Sequence, residues 1–372
     1  MTPAELSALN TQVLWSAWGI AVAFGALVQR TGFCTMGAVS DAVVIGDFTR
    51  LRQWALAAAV ATLGFAALAA SGVLAAPQTL YASTRWLWLS ALAGGGLFGF
   101  GMVLSSGCVS KTLVRVGGGS LKSLVVMLVA GLTGFATLKG LTAVWRVNTV
   151  DRVALDFGAN ADAATLLARA TTLSAAQASL VAGGLLGGAL LLFALASREA
   201  RRPVNLLAGA GIGALVLAMW WVTGHVGHLA EHPQTLEESW LATNSTRAEG
   251  LSFVSPVAYA LDWLMFFSDA GKRLTVGIVS VAGVILGSAA MALARRSFRW
   301  EGFAGTPDLG HHLAGGVLMG VGGVTAMGCS IGQGVTGLST LSLTSAVAAA
   351  AMIAGAVAGV KYQAWRLERE AD

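Results

Sequence analysis

Nine runs of about 20 mostly apolar residues divide this 372-residue chain, and a helix of that length is what crosses the hydrocarbon core of a bilayer. They lie at about 13–29, 54–76, 86–104, 121–144, 173–196, 204–223, 272–294, 312–327 and 339–361. In lipid a helix satisfies its own backbone groups, so runs of this kind commit the chain to an all-α integral membrane fold. Charge agrees, because only 11% of residues are Asp, Glu, Lys or Arg, against about 25% in a soluble domain. The partner implied is the lipid bilayer. With no basic cluster interleaved with aromatics, nucleic acid is excluded as a partner.

The segment from Met1 to Gln12 contains Glu5 and no basic residue, so the first run reads as a retained span and not as a cleaved leader. Two polar stretches, 146–171 and 224–251, are expected at the surface, and the short apolar stretch 253–268 suits an interfacial or re-entrant helix. Fifteen Lys and Arg residues fall in the connections after runs 1, 3, 5 and 7 and in the C-terminal tail; seven fall in the alternate connections. The positive-inside rule then places the N-terminus outside and the C-terminus in the cytoplasm. Lys139, inside the fourth run near its outer end, is expected to snorkel. The 12 tryptophans, Trp86, Trp88, Trp220 and Trp221 among them, read as interfacial belts.

An internal repeat adds architecture. Residues 94–108 align without gaps on 315–329, with eight of 15 positions identical, including five glycines and the pair Cys108/Cys329. The copies end the third and eighth runs, an odd number of spans apart, so they should run in opposite directions. The expectation is a single transporter-like domain of inverted repeats, about 13–144 and 204–361, linked by the span 173–196. Arg30-Thr-Gly-Phe33 and Arg299-Trp-Glu-Gly-Phe303 are a weaker correspondence, in which Ala304 stands where Cys34 follows the first phenylalanine.

The chain has three cysteines, and each sits in its own glycine-bearing motif: Gly-Phe-Cys34-Thr-Met-Gly, Ser-Ser-Gly107-Cys108-Val-Ser-Lys111 and Met-Gly328-Cys329-Ser330-Ile-Gly-Gln333-Gly. The spacing fits neither a disulfide framework nor a metal-ligand set. The stretches after these cysteines carry little charge, which points to short helices or loops that dip back into the membrane and line an enclosed path. Glycines there expose amides and helix N-termini carry partial positive charge, both favouring an anion. Lys111, Arg115 and Arg30 would assist it. A thiol is a weak donor and a soft acceptor, suited to a ligand with a soft sulfur atom, and three thiols in series offer the weak successive sites that transport requires. Under this reading Cys329 lies outermost, Cys108 centrally and Cys34 nearest the cytoplasm. Helix packing by small residues is the plainer role for the same cysteines, as positive-inside placement is for Lys111, Arg115 and Lys122. Asp41 is either a helix-terminal cap or a binder of a cation, proton or partner.

His225, His228 and His232 have helical spacing and Glu231 adjoins them, but Pro233 and a loop location argue against a metal; no metal, cofactor or catalytic residue is assigned. His311-His312 reads as the start of an interfacial helix. No GxxxxGK[ST] motif is present, so ATP is not the energy source.

The segments Arg30–Asp41, Gly107–Ser123 and Met327–Thr340 resemble those of the YeeE/YedE sulfur-transport family, in family order. The resemblance implies a bacterial inner-membrane importer of thiosulfate or a similar sulfur anion, with nine spans, re-entrant helices and three path-lining cysteines. It also implies handover to a small cytoplasmic sulfur-carrier (TusA-like) protein. Ser330 replaces a threonine common in the family and keeps its hydroxyl. Lys111 stands where thiosulfate-type members often have glycine, which strengthens anion attraction or changes the ligand. Two other functions use the same thiols: a membrane sulfurtransferase or redox enzyme with a persulfide step, and a transporter of another sulfur or selenium compound or of a metal.

Overall fold

The structure, a computed structural model, describes residues 2–371. Fourteen α-helices follow in chain order: α1 Pro3–Thr31, α2 Thr35–Val44, α3 Thr49–Ala70, α4 Trp88–Leu104, α5 Val109–Gly117, α6 Leu121–Lys139, α7 Leu141–Asn148, α8 Ala163–Ala170, α9 Ala175–Leu195, α10 Pro203–Trp221, α11 Val254–Met265, α12 Val276–Ala294, α13 Thr306–Thr325 and α14 Leu343–Ala371. Two π-helical segments, Val222–Val226 and Gly332–Gly337, interrupt the pattern. Among the described residues, sheet is confined to two pairs of two-residue strands, 85–86 with 155–156 and 228–229 with 239–240.

Among the described residues eight stretches, built on α1, α3, α4, α6, α9, α10, α12 and α14, are long and apolar enough to cross a membrane. The protein is an all-α, multi-pass membrane protein. Helix α13 is the ninth long helix at 20 residues, but Asp308, His311 and His312 make its first turns polar. It starts six residues before the expected 312 because Pro307 fits the first helical turn. Helix α1 likewise starts ahead of its apolar run. Thr2 and Glu5 form a capping box at its start, and its 29 residues rise about 44 Å at 1.5 Å per residue, more than the ~30 Å hydrocarbon layer. The fourth run is cut at Gly140, where extended backbone separates α6 from α7. The expected short helix in 253–268 is α11, opened by Phe253.

Glycine brings the central helices to backbone contact. A Cβ at Gly99 would lie 2.1 Å from the Met352 carbonyl oxygen on α14, and one at Gly320 2.5 Å from that of Ala130 on α6. Where α4 crosses α13, Gly94 abuts Gly322, and Gly101 abuts Gly315. These pairs exchange with one another when α4 is swapped for α13 and α6 for α14. The two central helices also end alike. Gly107 N donates to Met102 O (2.8 Å) and Gly328 N to Gly323 O (2.7 Å), with Ser106 and Met327 left-handed at φ 56° and 61°. Left-handed φ in residues other than glycine is uncommon, so its recurrence 221 residues on is informative.

Past the cysteines the offset becomes 222. Gly119 and Leu341 share positive φ, and the hydroxyls of Ser120 and Ser342 cap α6 and α14 by accepting from the amides of Ser123 and Ser345. The additional residue is absorbed by the π-helical turn Gly332–Gly337, a wider turn than α5 makes in the first copy.

The weaker correspondence does not hold at the level of fold: Arg30–Phe33 leads into α2, whereas Arg299–Phe303 leads into α13. The element that packs like α2 is α11. Asp41 of α2 pairs with Arg50 of the next helix, and Asp262 of α11 pairs with Lys272 just before the next one. Phe253, not Ala304, therefore stands at the helix start that matches Cys34.

Candidate functional site

All three cysteines occupy one kind of position, the N-cap of a short helix inside the apolar body. The carbonyl of Cys34 accepts from Ala38 N (3.0 Å), that of Cys108 from Thr112 N (2.8 Å) and that of Cys329 from Gln333 N (2.7 Å). Ser, Thr, Asn or Asp usually fill this place, because a side-chain oxygen accepts from a free amide of the first turn. Here sulfur does so twice: Gly37 N donates to Cys34 Sγ and Gly332 N to Cys329 Sγ, each at 3.4 Å. The Cys108 thiol instead meets the Ser110 hydroxyl at 3.2 Å. Each cysteine thus stands at the positive end of a helix, and the sulfurs of Cys34 and Cys329 meet amides that suit a polarisable, electron-rich atom.

The structure brings the three together. Cys108 is within electrostatic reach of both Cys34 and Cys329. Cys108 and Cys329 are almost fully buried, and Cys34 is half-buried. The backbone of Phe253 and Ile331 also faces the Cys329 sulfur, and the Tyr81 hydroxyl donates to the carbonyl of Gly332 beside it.

Polar side chains next to the thiols lack partners among the described residues: Thr35 Oγ1 after Cys34, Ser330 Oγ after Cys329, and Gln333 Oε1. The Gln333 amide nitrogen donates to Ala326 O at 2.6 Å, fixing the side chain. A buried polar group left unpaired costs about 1–3 kcal/mol; a ligand's oxygens can accept from the Thr35 and Ser330 hydroxyls, whereas Gln333 Oε1 is an acceptor and needs a donor such as a thiol. Gly107 and Gly328 close the turns before the central cysteines. A Cβ at Gly328 would lie 3.2 Å from Gln333 Cγ, and one at Gly107 3.4 Å from Lys111 Cγ.

Cations gather at one end. The Lys111 ammonium is within electrostatic reach of Cys34, Cys108, Arg115 and Arg50. Arg115 is anchored to the Ser106 carbonyl at 2.9 Å. Arg50 ion-pairs with Asp41 at 3.3 Å, and its guanidinium lies over Gly37 in the first turn of α2. Arg30 is elsewhere: its side chain is exposed at the end of α1, and its carbonyl accepts from Arg295. Sequence reasoning missed Arg50, because only the turn between α2 and α3 folds it back over the cysteine. In the sequence Arg115 fits both an aid to the anion and a positive-inside charge.

Beside the Cys329 turn lies a cavity of about 240 Å³, lined among others by Arg146, Glu249, Ser252, Ser255, Tyr259 and Met327. Ser252 also packs against Gly332, the residue whose amide meets Cys329. Nothing in the sequence flagged Glu249 or Tyr259. The histidines are dispersed: His228 pairs with Glu238 at 2.8 Å, and His225 stacks on Trp221. His312 is buried, bonded through Nδ1 to the Asp308 carbonyl. Lys139 borders a separate surface depression with Asp262 and Lys272.

Residues 30–358 match the family described as sulphur transport. The chain is 27% identical over 326 residues to the thiosulfate transporter TsuA of Escherichia coli K12, covering 84% of this chain and 83% of that one. It is 24% identical over 350 residues to the thiosulfate transporter TsuA of Spirochaeta thermophila, covering 92% and 97%. A shorter stretch of 112 residues is 31% identical to the probable transporter YedE of Escherichia coli K12, covering 30% and 26% of the two chains.

Proposed function

The chain belongs to the sulphur-transport (YeeE/YedE) family, and from that footing we propose that it imports thiosulfate across the bacterial inner membrane along Cys329, Cys108 and Cys34. It is a transporter of a sulfur-containing anion and not an enzyme. The observation that carries the finer reading is the shared N-cap placement of the three thiols, with Cys108 within reach of the other two. Inverted repeats spanning about 13–144 and 204–361 set the central elements against each other, and the exchange of close contacts between α4 and α13 supports this.

In this mechanism the anion leaves water at the cavity beside Met327 and exchanges hydration for amides and hydroxyls. Its terminal sulfur accepts from the Cys329 thiol, then from Cys108, then from Cys34. Ser330, Ser110 and Thr35 each offer a hydroxyl one or two residues from a thiol, so every step has a donor for an anion oxygen. Contacts of this kind are weak, which lets the ligand leave each site as readily as it arrives. Lys111, Arg115 and Arg50 draw it to the cytoplasmic end, where a small sulfur-carrier protein takes it up. The thiols form no lasting covalent bond in this scheme, so intact mass should be unchanged during uptake.

The test is growth of a cell lacking its own sulfur-uptake routes on thiosulfate as sole sulfur source. Wild type should support growth and Cys108→Ala should not, at equal membrane abundance. Equal growth of the two removes the thiol path. Growth on another sulfur or selenium compound, but not on thiosulfate, reassigns the substrate.

A further inference from the structure

The cavity next to the Cys329 turn contains a group at odds with anion passage. Glu249 lines it and is 9% exposed, with no Lys or Arg paired to it among the described residues. The one arginine in the same wall, Arg146, is held by Asp151 at 3.2 Å. Glu249 Oε1 accepts from the amides of Asn244 (2.9 Å) and Ser245 (2.7 Å). The other ionisable groups facing it are Tyr81 and Tyr259. Beyond Tyr259 lies the neutralised pair Asp262–Lys272, and neighbouring Arg247 is turned outward to the Ala82 carbonyl. A carboxylate in this cavity meets an incoming dianion with like charge in a poorly hydrated space.

We propose that this cavity is a joint site for one proton and one oxyanion, with Glu249 holding the proton. The anion occupies the cavity only when the carboxyl is neutral, and its O–H then donates to an anion oxygen. The proton comes from the solution at the mouth of the cavity. Burial pushes the Glu249 carboxyl up from its ordinary value, in the direction that favours its protonated form, while the amides of Ser245 and Asn244 oppose the shift. The cavity reaches the transport thiols through Ser252, which touches Gly332. The inference rests on the substrate class proposed above.

By linkage, anion binding must then take up protons, and affinity must rise as pH falls. Thiosulfate, the anion of a strong acid, stays a dianion through the neutral range, so a pH effect belongs to the protein. The experiment is thiosulfate titration of the purified full-length protein by calorimetry, in buffers of different ionisation enthalpy, between about pH 6 and 8. Wild type should take up close to one proton per anion at the alkaline end, and affinity should improve up to ~10-fold per pH unit. Glu249→Gln keeps an oxygen for the Asn244 and Ser245 amides and cannot titrate; it should lose both the proton uptake and the pH slope. Glu249→Asp should retain both, which separates titration from folding damage. Thiosulfate binding by wild type without proton uptake overturns this proposal and leaves the substrate reading intact. A pH slope that survives in Glu249→Gln also overturns it. No thiosulfate binding at any pH overturns the substrate reading, and this proposal with it.

Discussion

Cysteine is an uncommon helix cap, and three such caps in one chain ask for a reason beyond folding. Serine would accept, at shorter range, from the amides that donate to Cys34 and Cys329, and under the proposed function the sulfur is there for the ligand it meets. The charge around it follows the same logic. Lys111 reaches both Cys34 and Cys108. At an effective dielectric near 20, two unit charges ~4 Å apart attract by about 4 kcal/mol, and the attraction falls with distance and screening. Lys111→Ala should therefore raise the KM for thiosulfate by ~10-fold, whereas Lys111→Arg should stay within about twofold. Initial-rate uptake into proteoliposomes checks this, and an unchanged KM for the alanine variant would leave Lys111 a topological charge only. The sequence exposed the three thiols because glycines bracket them. It did not expose Arg50 or Tyr81, whose neighbours are brought in from other elements, nor Glu249, whose partners Asn244 and Ser245 are local but form no recognisable motif. Arg30 illustrates the converse: it is four residues from Cys34 in sequence, yet the left-handed turn at Gly32 ends α1 and leaves its side chain in the open.

At the scale of the element, the long helices were legible as hydropathy, and their ends were not. Caps, prolines and glycines decide where a helix stops, and those signals are short; hence the break at Gly140 and the early start of α13. The repeat was legible only as far as Cys329, because a gapless comparison fails at the added residue of the π-helical turn. Beyond that point it survives in backbone geometry: in the paired φ values of Gly119 and Leu341, and in the serine caps of α6 and α14. The glycines of the repeat have a mechanical role that can be measured on α4 alone. Gly99→Ala would drive a methyl to 2.1 Å from the Met352 carbonyl oxygen, and the helices must part. The expected loss is about 1–3 kcal/mol, read as earlier thermal unfolding in detergent. Gly96→Ala, three residues away on the same helix, meets nothing within 4 Å and should unfold with wild type. Equal loss at both positions would mean that helix flexibility, and not close approach, sets the requirement.

Under the proposed function the whole molecule moves a dianion inward against an inside-negative potential, at about 2.3 kcal/mol per charge per 100 mV. A direct solution is to make the two ends of the path unlike. One end has a cavity with a buried acid and a committed arginine; the other has Lys111, Arg115 and Arg50 around a half-buried thiol. The same three cations belong to the basic connections that the positive-inside rule assigns to the cytoplasm, so chemistry and topology point the same way. Exposure then yields a sided prediction, because Cys108 and Cys329 are 1% and 0% exposed while Cys34 remains partly open. In a Cys108→Ala/Cys329→Ala background, Cys34 is the sole thiol. A membrane-impermeant maleimide should label it in inside-out vesicles and leave it unlabelled in right-side-out vesicles. Thiosulfate added on the cytoplasmic side should slow labelling by occupying the site. Labelling from the opposite face would reverse the orientation, and the three cations would then guard the mouth by which the anion arrives.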